Sequence, residues 1–317
     1  MRLFFIIFSF LGFSFLFGEV LDVHIAPLSL KDKTFMKIKV LDEKELAFSS
    51  ISGISFGGIS DIAYNTKTHN LHLLGDRGML FTFKAIFSNK IETFKTLRAT
   101  RVKNRNGKLF RHWNRDSEGL TLDNKNRLFI SFEGQAKIGY FHKNSKKYGR
   151  MIRKYPLPYP INKMAKYRHK NKSLEALTWH KKYGLLTATE LPLKKDDEKL
   201  QTIYSLKGKQ WHFKAEPEGK SSVVAMEVMD DGNILVLERS FSGIFNPFVV
   251  TLKKVYLNII KNHLCKTEIL AKMNNHKGWK IDNFEGLTKV SKNGYLMVSD
   301  DNYNFFERTL LIYFEVL

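Results

Sequence analysis

The sequence predicts an all-β fold: a β-propeller of five blades, with six as the alternative, closed by a strand near its N-terminus. Three observations predict it. Hairpin-like segments recur five times at separations of 57, 57, 52 and 58 residues. A further apolar strand follows each hairpin, and no helix-rich or linker-like stretch divides the 317 residues. Phe, with 26 copies, and the β-branched residues favour strands over helices.

The first element is residues 1–17, "MRLFFIIFSFLGFSFLF", one positive charge followed by an apolar run, with the small Gly18 behind it. This is the layout of a secretory signal peptide, too short in its apolar part for the roughly 20 residues that span a bilayer. Residues 1–18 are therefore expected to be a signal and 19–317 the propeller, exported to the periplasm or secreted, with no later transmembrane segment and a monomeric state. The single cysteine, Cys265, permits no intrachain disulfide, so the fold has to be held by its core. A lone Cys is expected to be a small buried apolar residue.

The repeats begin at "SDIAYNTKTHNLHLLGDRG" (60–78) and continue through "SEGLTLDNKNRLFISFEG" (117–134), "LEALTWHKKYGLLTATEL" (174–191), "AMEVMDDGNILVLERS" (225–240) and "FEGLTKVSKNGYLMVSDDN" (284–302). Each has a polar turn near its midpoint, as a β-hairpin requires. Third strands are read at 79–87, 137–143, 202–208, 248–257 and 309–317, and fourth strands at 91–100, 148–157, 210–216 and 266–273. The last repeat lacks a fourth strand, which residues 34–41, "TFMKIKVL", could supply from the N-terminal side. Closing the ring removes the sheet edges that would otherwise aggregate. A chain so built is expected to fold as one cooperative unit, since no blade alone buries both its faces.

Each hairpin carries two acids. The leading ones are Asp61, Glu118, Glu175, Glu227 and Glu285; the closing ones are Asp76, Glu133, Glu190, Glu238 and Asp300. The offset between them is 15 residues in four segments and 11 in the fourth. Both acids return to the same end of their hairpin, so all ten are expected at one mouth of the central channel. Crowded carboxylates are tolerable only if solvated, protonated, paired with arginine or neutralised by a cation. As oxygen-only ligands the ten would select Ca²⁺, or alternatively Mg²⁺. Ten His without an HExxH or HxH element and a lone Cys disfavour zinc, and no organic cofactor is expected. The other account of such acids is structural: they cap backbone N–H groups or pair with arginines to fix blade register.

The formal net charge of +21 suits an anionic small-molecule partner, or serves solubility alone. Without a compact basic block or a nucleic-acid motif, nucleic acid is an unlikely partner. Arg77, Arg115, Arg239 and Arg308 lie next to the acids in sequence and are the candidate substrate-binding residues. The basic loop 101–119 enters the second blade from the same side. "GISFG" (53–57) matches the G-x-S-x-G pattern with Ser55 at its centre, but a strand entry follows it where that pattern needs a helix.

The ordered set "GISDIAY…GDRG", "RDSEGLTLDNKNRLFISFEG", "SLEALTWHKKYGLLTATE", "ILVLERSF" and "DNFEGLTKVSKNGYLMVSDDN", then "ERTLLIYFEVL", resembles the esterase-like-activity-of-phytase family, secreted proteins with a phytase-like propeller domain. The resemblance spans about residues 50–317 and implies ester or phosphoester hydrolysis, perhaps of inositol phosphates and with Ca²⁺. On this reading Glu118, Glu175, Glu285 and Asp300 are the candidate catalytic residues. Two other functions fit the same residues: a non-enzymatic propeller binding an anionic ligand or envelope partner, and a lactonase-like esterase with one metal in the channel.

Overall fold

Every second residue of a strand faces one side of its sheet, so a strand buried on both sides must be apolar almost throughout. The second strands of the hairpins have this character: Leu128–Phe132, Ile234–Ser240 and Gly294–Asp300 are buried over nearly their whole length. A computed structural model describes residues 19–143, 145–219, 221–241, 243 and 247–317. The expected signal at 1–18 lies outside the described residues. Within them the regular structure is strand and short 3-10 turns, and no helix is long and apolar enough to cross a membrane.

Four antiparallel strands make each unit. The first blade is Ile59–Asn65, Asn70–Gly75, Met79–Phe87 and Ile91–Arg101; the second is Ser117–Leu122, Leu128–Phe132, Lys137–Phe141 and Met151–Tyr155. The third is Leu174–His180, Gly184–Thr189, Leu200–Ser205 and Gln210–Lys214; the fourth is Ser222–Val228, Ile234–Ser240, Val249–Lys261 and Leu264–Asn274. The fifth has Asn283–Lys289, Gly294–Asp300 and Leu310–Val316. The first strand of each blade lies against those of its two neighbours, and the fifth returns to the first. This closed ring of inner strands makes the fold a propeller.

The fifth blade takes its outer strand from the N-terminal side. Ile38–Ala47 pairs antiparallel with Leu310–Val316, with Val40 opposite Phe314 and Ile38 opposite Val316. The expected closing strand at 34–41 is thus displaced: Thr34–Phe35 instead folds back onto Ile38 and Lys39 around Met36, whose φ is 53°. The true strand, "IKVLDEKELA", hides in the sequence because an outermost strand is half solvated and keeps its charges. The outer strands of the third and fourth blades also touch, in parallel, at His212 and Leu264.

The core lies between blades. One apolar cluster fills each of the five interfaces, for example Phe81, Phe83, Leu296 and Leu311 between the first and fifth. Leu74, Leu80, Phe132 and Phe141 fill the interface between the first and second. Each such side chain contributes roughly 1.5–3 kcal/mol on burial, which a chain without disulfides needs. Cys265 is buried in the cluster between the third and fourth blades beside Trp211 and Leu257, as expected of a lone thiol. Burial pushes its pKa up to about 11.

Candidate functional site

The glycine of the recurring E-G-L triplet explains how the inner strands come close enough to build a site. A Cβ on Gly119 would stand 2.6 Å from the Glu175 carbonyl oxygen, and one on Gly286 would stand 2.9 Å from Asp61 Cα. Only glycine lets a neighbouring backbone approach so closely. Each inner strand also bulges here, between Ser117 and Leu120 in the second blade and between Phe284 and Gly286 in the fifth. The bulge bends the strand start and turns its side chains towards the channel mouth.

Strand register fixes which residues arrive there. Leu120 opposes Ile130, Leu177 opposes Thr187, Met226 opposes Val236 and Leu287 opposes Met297. Two residues before the first of each pair stand Glu118, Glu175, Val224 and Glu285; three after the second stand Glu133, Glu190, Arg239 and Asp300. In the first blade the corresponding pair, Ile62 and Leu73, brings Ser60 and Asp76 to these positions. Seven of the ten expected acids therefore converge: Asp76, Glu118, Glu133, Glu175, Glu190, Glu285 and Asp300. They line a cavity of about 280 Å³ together with Asp116, Asn171, Lys172, Arg239 and Asn302.

The other three are corrected by the register. Asp61 is one residue too deep. Its buried carboxylate accepts the Ile62 N–H at 2.8 Å, the Leu120 N–H at 2.6 Å and the Leu287 N–H at 3.2 Å, so it clasps three adjacent blades. Glu227 lies three residues deeper than Val224 and accepts from the Val228 and Lys289 N–H groups and the Thr178 and Thr288 hydroxyls. Glu238 points away from the mouth. It accepts from Lys253 Nζ at 2.7 Å and from the Glu216 N–H at 2.8 Å, deep in the fourth blade. The shortened 11-residue offset marked the misplacement: the usual offset of 15 is kept in the fourth blade by Val224 and Arg239.

Of the four arginines, Arg239 alone lines the cavity. Its guanidinium donates to Asn283 Oδ1 and Glu285 Oε1 and lies 3.6 Å from Glu190. Burial disfavours its charge, but Glu285, Glu190, Glu175 and Asp300 outweigh that and hold it protonated. Arg77 is stacked on the Tyr303 ring at 3.9 Å, and its charge, like that of Arg115, reaches Asp76 from behind the rim. Arg308 faces outward to Glu45 at 3.4 Å. Ser55 sits exposed on a two-residue strand paired with Ser50, with no helix after it, so it builds no nucleophile elbow.

Two contributors escaped the sequence reading. Asp116 precedes its hairpin in the polar loop, and its spacing of two from Glu118 in "RDSEG" is the one signal that could have found it. Lys172 comes from the insertion 158–173, where nothing in the sequence marks it. Its Nζ donates to both Glu190 oxygens, at 2.7 and 2.8 Å.

The electrostatics are those of excess negative charge. Eight carboxylates face two cations, Lys172 and Arg239, around the cavity. Burial, then Glu133 and the other neighbouring acids, pushes Glu118 well above the usual carboxylate range; burial and then Glu190 and Glu118 do the same to Glu175. Glu133 and Asp300 are each pushed up to about 9, burial first and a neighbouring carboxylate second. Burial raises Asp76 to about 6 against the pull of Arg77. Two buried oxygens, Asp76 Oδ1 and Glu175 Oε2, have no hydrogen-bond partner.

Ligand oxygens gather in two groups that share Glu133. Those of Asp116, Glu118 and Glu133, and those of Glu133, Glu175 and Glu190, each lie within 4.8 Å of one another. Ca²⁺ binds oxygens at 2.3–2.6 Å, so two ligands on opposite sides of it stand roughly 5 Å apart. Spacing, oxygen-only chemistry and the orphaned Glu175 oxygen together fit a hard divalent cation.

The family model described as "Phytase-like: Esterase-like activity of phytase" matches residues 54–303. No curated protein matches the sequence. Among solved structures, a streptogramin B lyase is 8% identical, with 88% of this chain and 98% of that one covered at a TM-score of 0.39. The virginiamycin B lyase of Staphylococcus aureus is 9% identical, with coverages of 95% and 100% and a TM-score of 0.38. The PQQ-bound aldose sugar dehydrogenase of Streptomyces coelicolor is 7% identical, with coverages of 88% and 97% and a TM-score of 0.39. The propeller assignment stands on the strand pairing and the ring of inner strands.

Proposed function

The chain belongs to the family of phytase-like proteins with esterase-like activity, and from that premise we propose that it is a cation-assisted hydrolase of phosphoesters or related esters, working at the acid-lined mouth. The observation that carries this reading is the imbalance there: eight carboxylates against two cations, with a buried Glu175 oxygen left unpartnered. Asp116, Glu118, Glu133, Glu175 and Glu190 would hold Ca²⁺ or Mg²⁺. The bound ion would polarise a phosphoryl or carbonyl oxygen.

The chain's own groups supply the rest. Lys172, about one-third exposed, stands where it can meet an anionic substrate oxygen. Arg239 is fixed from two sides by Asn283 and Glu285 and presents a permanent positive charge to the developing anion. Asp76, raised to about 6, is a rim acid that exchanges a proton close to neutrality, as a general acid or base must. Asp300, raised to about 9, stays protonated at pH 7 without an ion and can donate a hydrogen bond.

The test is hydrolysis of a panel of phosphomonoesters and carboxylic esters by residues 19–317, with Ca²⁺ and with a chelator. Turnover is expected with Ca²⁺ and not with the chelator, and Glu118→Gln or Glu133→Gln should lower it at least a hundredfold while the circular dichroism stays native. Full activity in both variants would defeat the assignment. Saturable anion binding without turnover would favour the non-enzymatic binding propeller.

A further inference from the structure

The strands of each blade are antiparallel, so the turns from first to second strand and from third to fourth lie at the end away from the acids. They are residues 66–69, 123–127, 181–183, 229–233 and 290–293, and 88–90, 142–150, 206–209 and 262–263. Together they hold thirteen Lys and Arg against three acids, Asp123, Asp230 and Asp231. Each of the three is already paired with a cation: Arg127, Lys289 and Lys254 respectively. The formal net charge of +21 is therefore concentrated at this end. The mouth mixes both signs: its loop 194–199 reads "KKDDEK", Asp301 and Glu307 precede Arg308, and the cavity adds eight carboxylates.

The unpaired cations are spread over every blade. Lys67 stands on the first, Lys125 on the second, Lys181 and Lys182 on the third, Lys261 on the fourth and Lys292 on the fifth. All six are exposed, and none is in a salt bridge among the described residues. The same end carries apolar points. The Leu257 N–H donates to Asn233 Oδ1 at 3.2 Å and the Tyr183 hydroxyl donates to Asn258 Oδ1 at 3.3 Å. Asn233 and Tyr183 belong to the turns of the fourth and third blades, so the hairpin of Val249–Lys261 and Leu264–Asn274 is already level with these turns at 257–258, and its tip continues from there. On that tip Ile259 and Ile260 are 49% and 52% exposed, next to Lys261.

We propose that the end opposite the acid mouth docks on an anionic phospholipid bilayer, with the turn lysines meeting lipid phosphates and Ile259 and Ile260 entering the headgroup region. Lysines without partners repel one another, and a negatively charged surface removes that cost. A linear polyanion such as nucleic acid is met by a patch or stripe of cations. Here they stand on all five blades around one end, where a planar anionic surface reaches them together. Exposed isoleucines beside lysine have the composition of a membrane-surface contact, in which apolar insertion and attraction to acidic lipids act together. Docked this way, the molecule turns its acid mouth away from the like-charged lipid and leaves it open to solution. The docking needs only charge and exposure at this end and is independent of whether the mouth hydrolyses esters.

The test is co-sedimentation of residues 19–317 with vesicles of phosphatidylcholine alone and of phosphatidylcholine with phosphatidylglycerol. Binding is expected to the anionic vesicles only and to weaken as NaCl rises from about 50 to 500 mM. Lys125→Gln/Lys181→Gln/Lys182→Gln/Lys292→Gln should weaken it by about tenfold or more. Lys108→Gln/Lys163→Gln/Lys194→Gln/Lys195→Gln removes the same charge from the mouth side and should leave it nearly unchanged. Ile259→Ser/Ile260→Ser should weaken it by about tenfold. All these side chains are exposed, so each variant is expected to keep the wild-type melting temperature. Equal binding to both vesicle types, no binding to either, an equal loss in both quadruple variants, no loss in the isoleucine variant, or tighter binding to a short DNA duplex than to the anionic vesicles would overturn the proposal.

Discussion

Glu190 is claimed twice. Lys172 holds both its oxygens, and one of those oxygens also belongs to the group formed with Glu133 and Glu175. An ammonium and a divalent cation cannot share those lone pairs, so Lys172 competes with the ion and has to release Glu190 when the ion binds. A partly exposed ion pair of this kind is worth about 1 kcal/mol, and removing a nearby positive charge adds to the attraction felt by the ion. Lys172→Met should therefore tighten Ca²⁺ binding, measured by calorimetry, by about tenfold, and Glu175→Gln should weaken it by more. If Lys172→Met binds Ca²⁺ no better than the wild type, the lysine is not the ion's competitor. Such a role was illegible in the sequence. The position of Lys172 is set by a loop crossing from another blade, and loop lysines are ordinary in a chain with 52 Lys and Arg.

The inner strand is the element on which both fold and site depend, and it spends one acid on structure. Asp61 joins the first blade to the second and fifth by accepting three backbone N–H groups in a buried place. Asp61→Ala would strand the Leu120 and Leu287 donors without water, at roughly 1–3 kcal/mol for each unsatisfied group. The variant is expected to melt well below the wild type while keeping Ca²⁺ affinity at the temperatures where it is folded. A normal melting temperature would show that the clasp carries no stability. Gly119→Ala belongs to the same element: its Cβ would press on Ser131 Oγ and the Glu175 carbonyl, so the second and third inner strands must part. The hairpins themselves were readable, because apolar runs, central turns and the 15-residue offset are local facts. The one-residue shift at Asp61 was not, since it lies in the cross-strand register: Ile62 takes the place of Leu120, so Asp61 falls where the second blade has Gly119, and spacing along the chain does not show this. In the fourth blade an acid was sought where the fold places Val224 and Arg239, and the acids found nearby, Glu227 and Glu238, face elsewhere.

For the whole molecule the acid ring is a cost that a cation removes, and this makes stability depend on pH in a definite sense. Glu133 and Asp300 have ordinary pKa values of 4.5 and 3.8 and are raised to about 9 in the fold. Between those limits the folded chain holds protons that the unfolded chain has released, so stability falls as pH rises through the window. His72 acts in the other direction at the acid end: buried against Thr82, it drops from 6.5 to about 3, and stability is lost as pH falls between those values. Where the windows overlap, between about pH 4.5 and 6.5, two carboxylates outweigh one histidine, so without divalent ions the melting temperature should peak at about pH 4 to 4.5 and decline steadily from there to 9, most steeply above 6.5. Ca²⁺ replaces the protons, so its stabilising effect should grow across the same interval. An ion at about a hundred times its Kd adds roughly 2.7 kcal/mol, which for a chain of this size corresponds to about 5 °C. Melting curves at pH 5, 7 and 9, each with EGTA and with Ca²⁺, read this directly, and binding at pH 7 should release protons into a weakly buffered solution. A chelated protein whose melting temperature holds level or climbs from pH 7 to 9 would mean that the carboxylates are already ionised and compensated within the fold, and the cation would then have no charge deficit to fill.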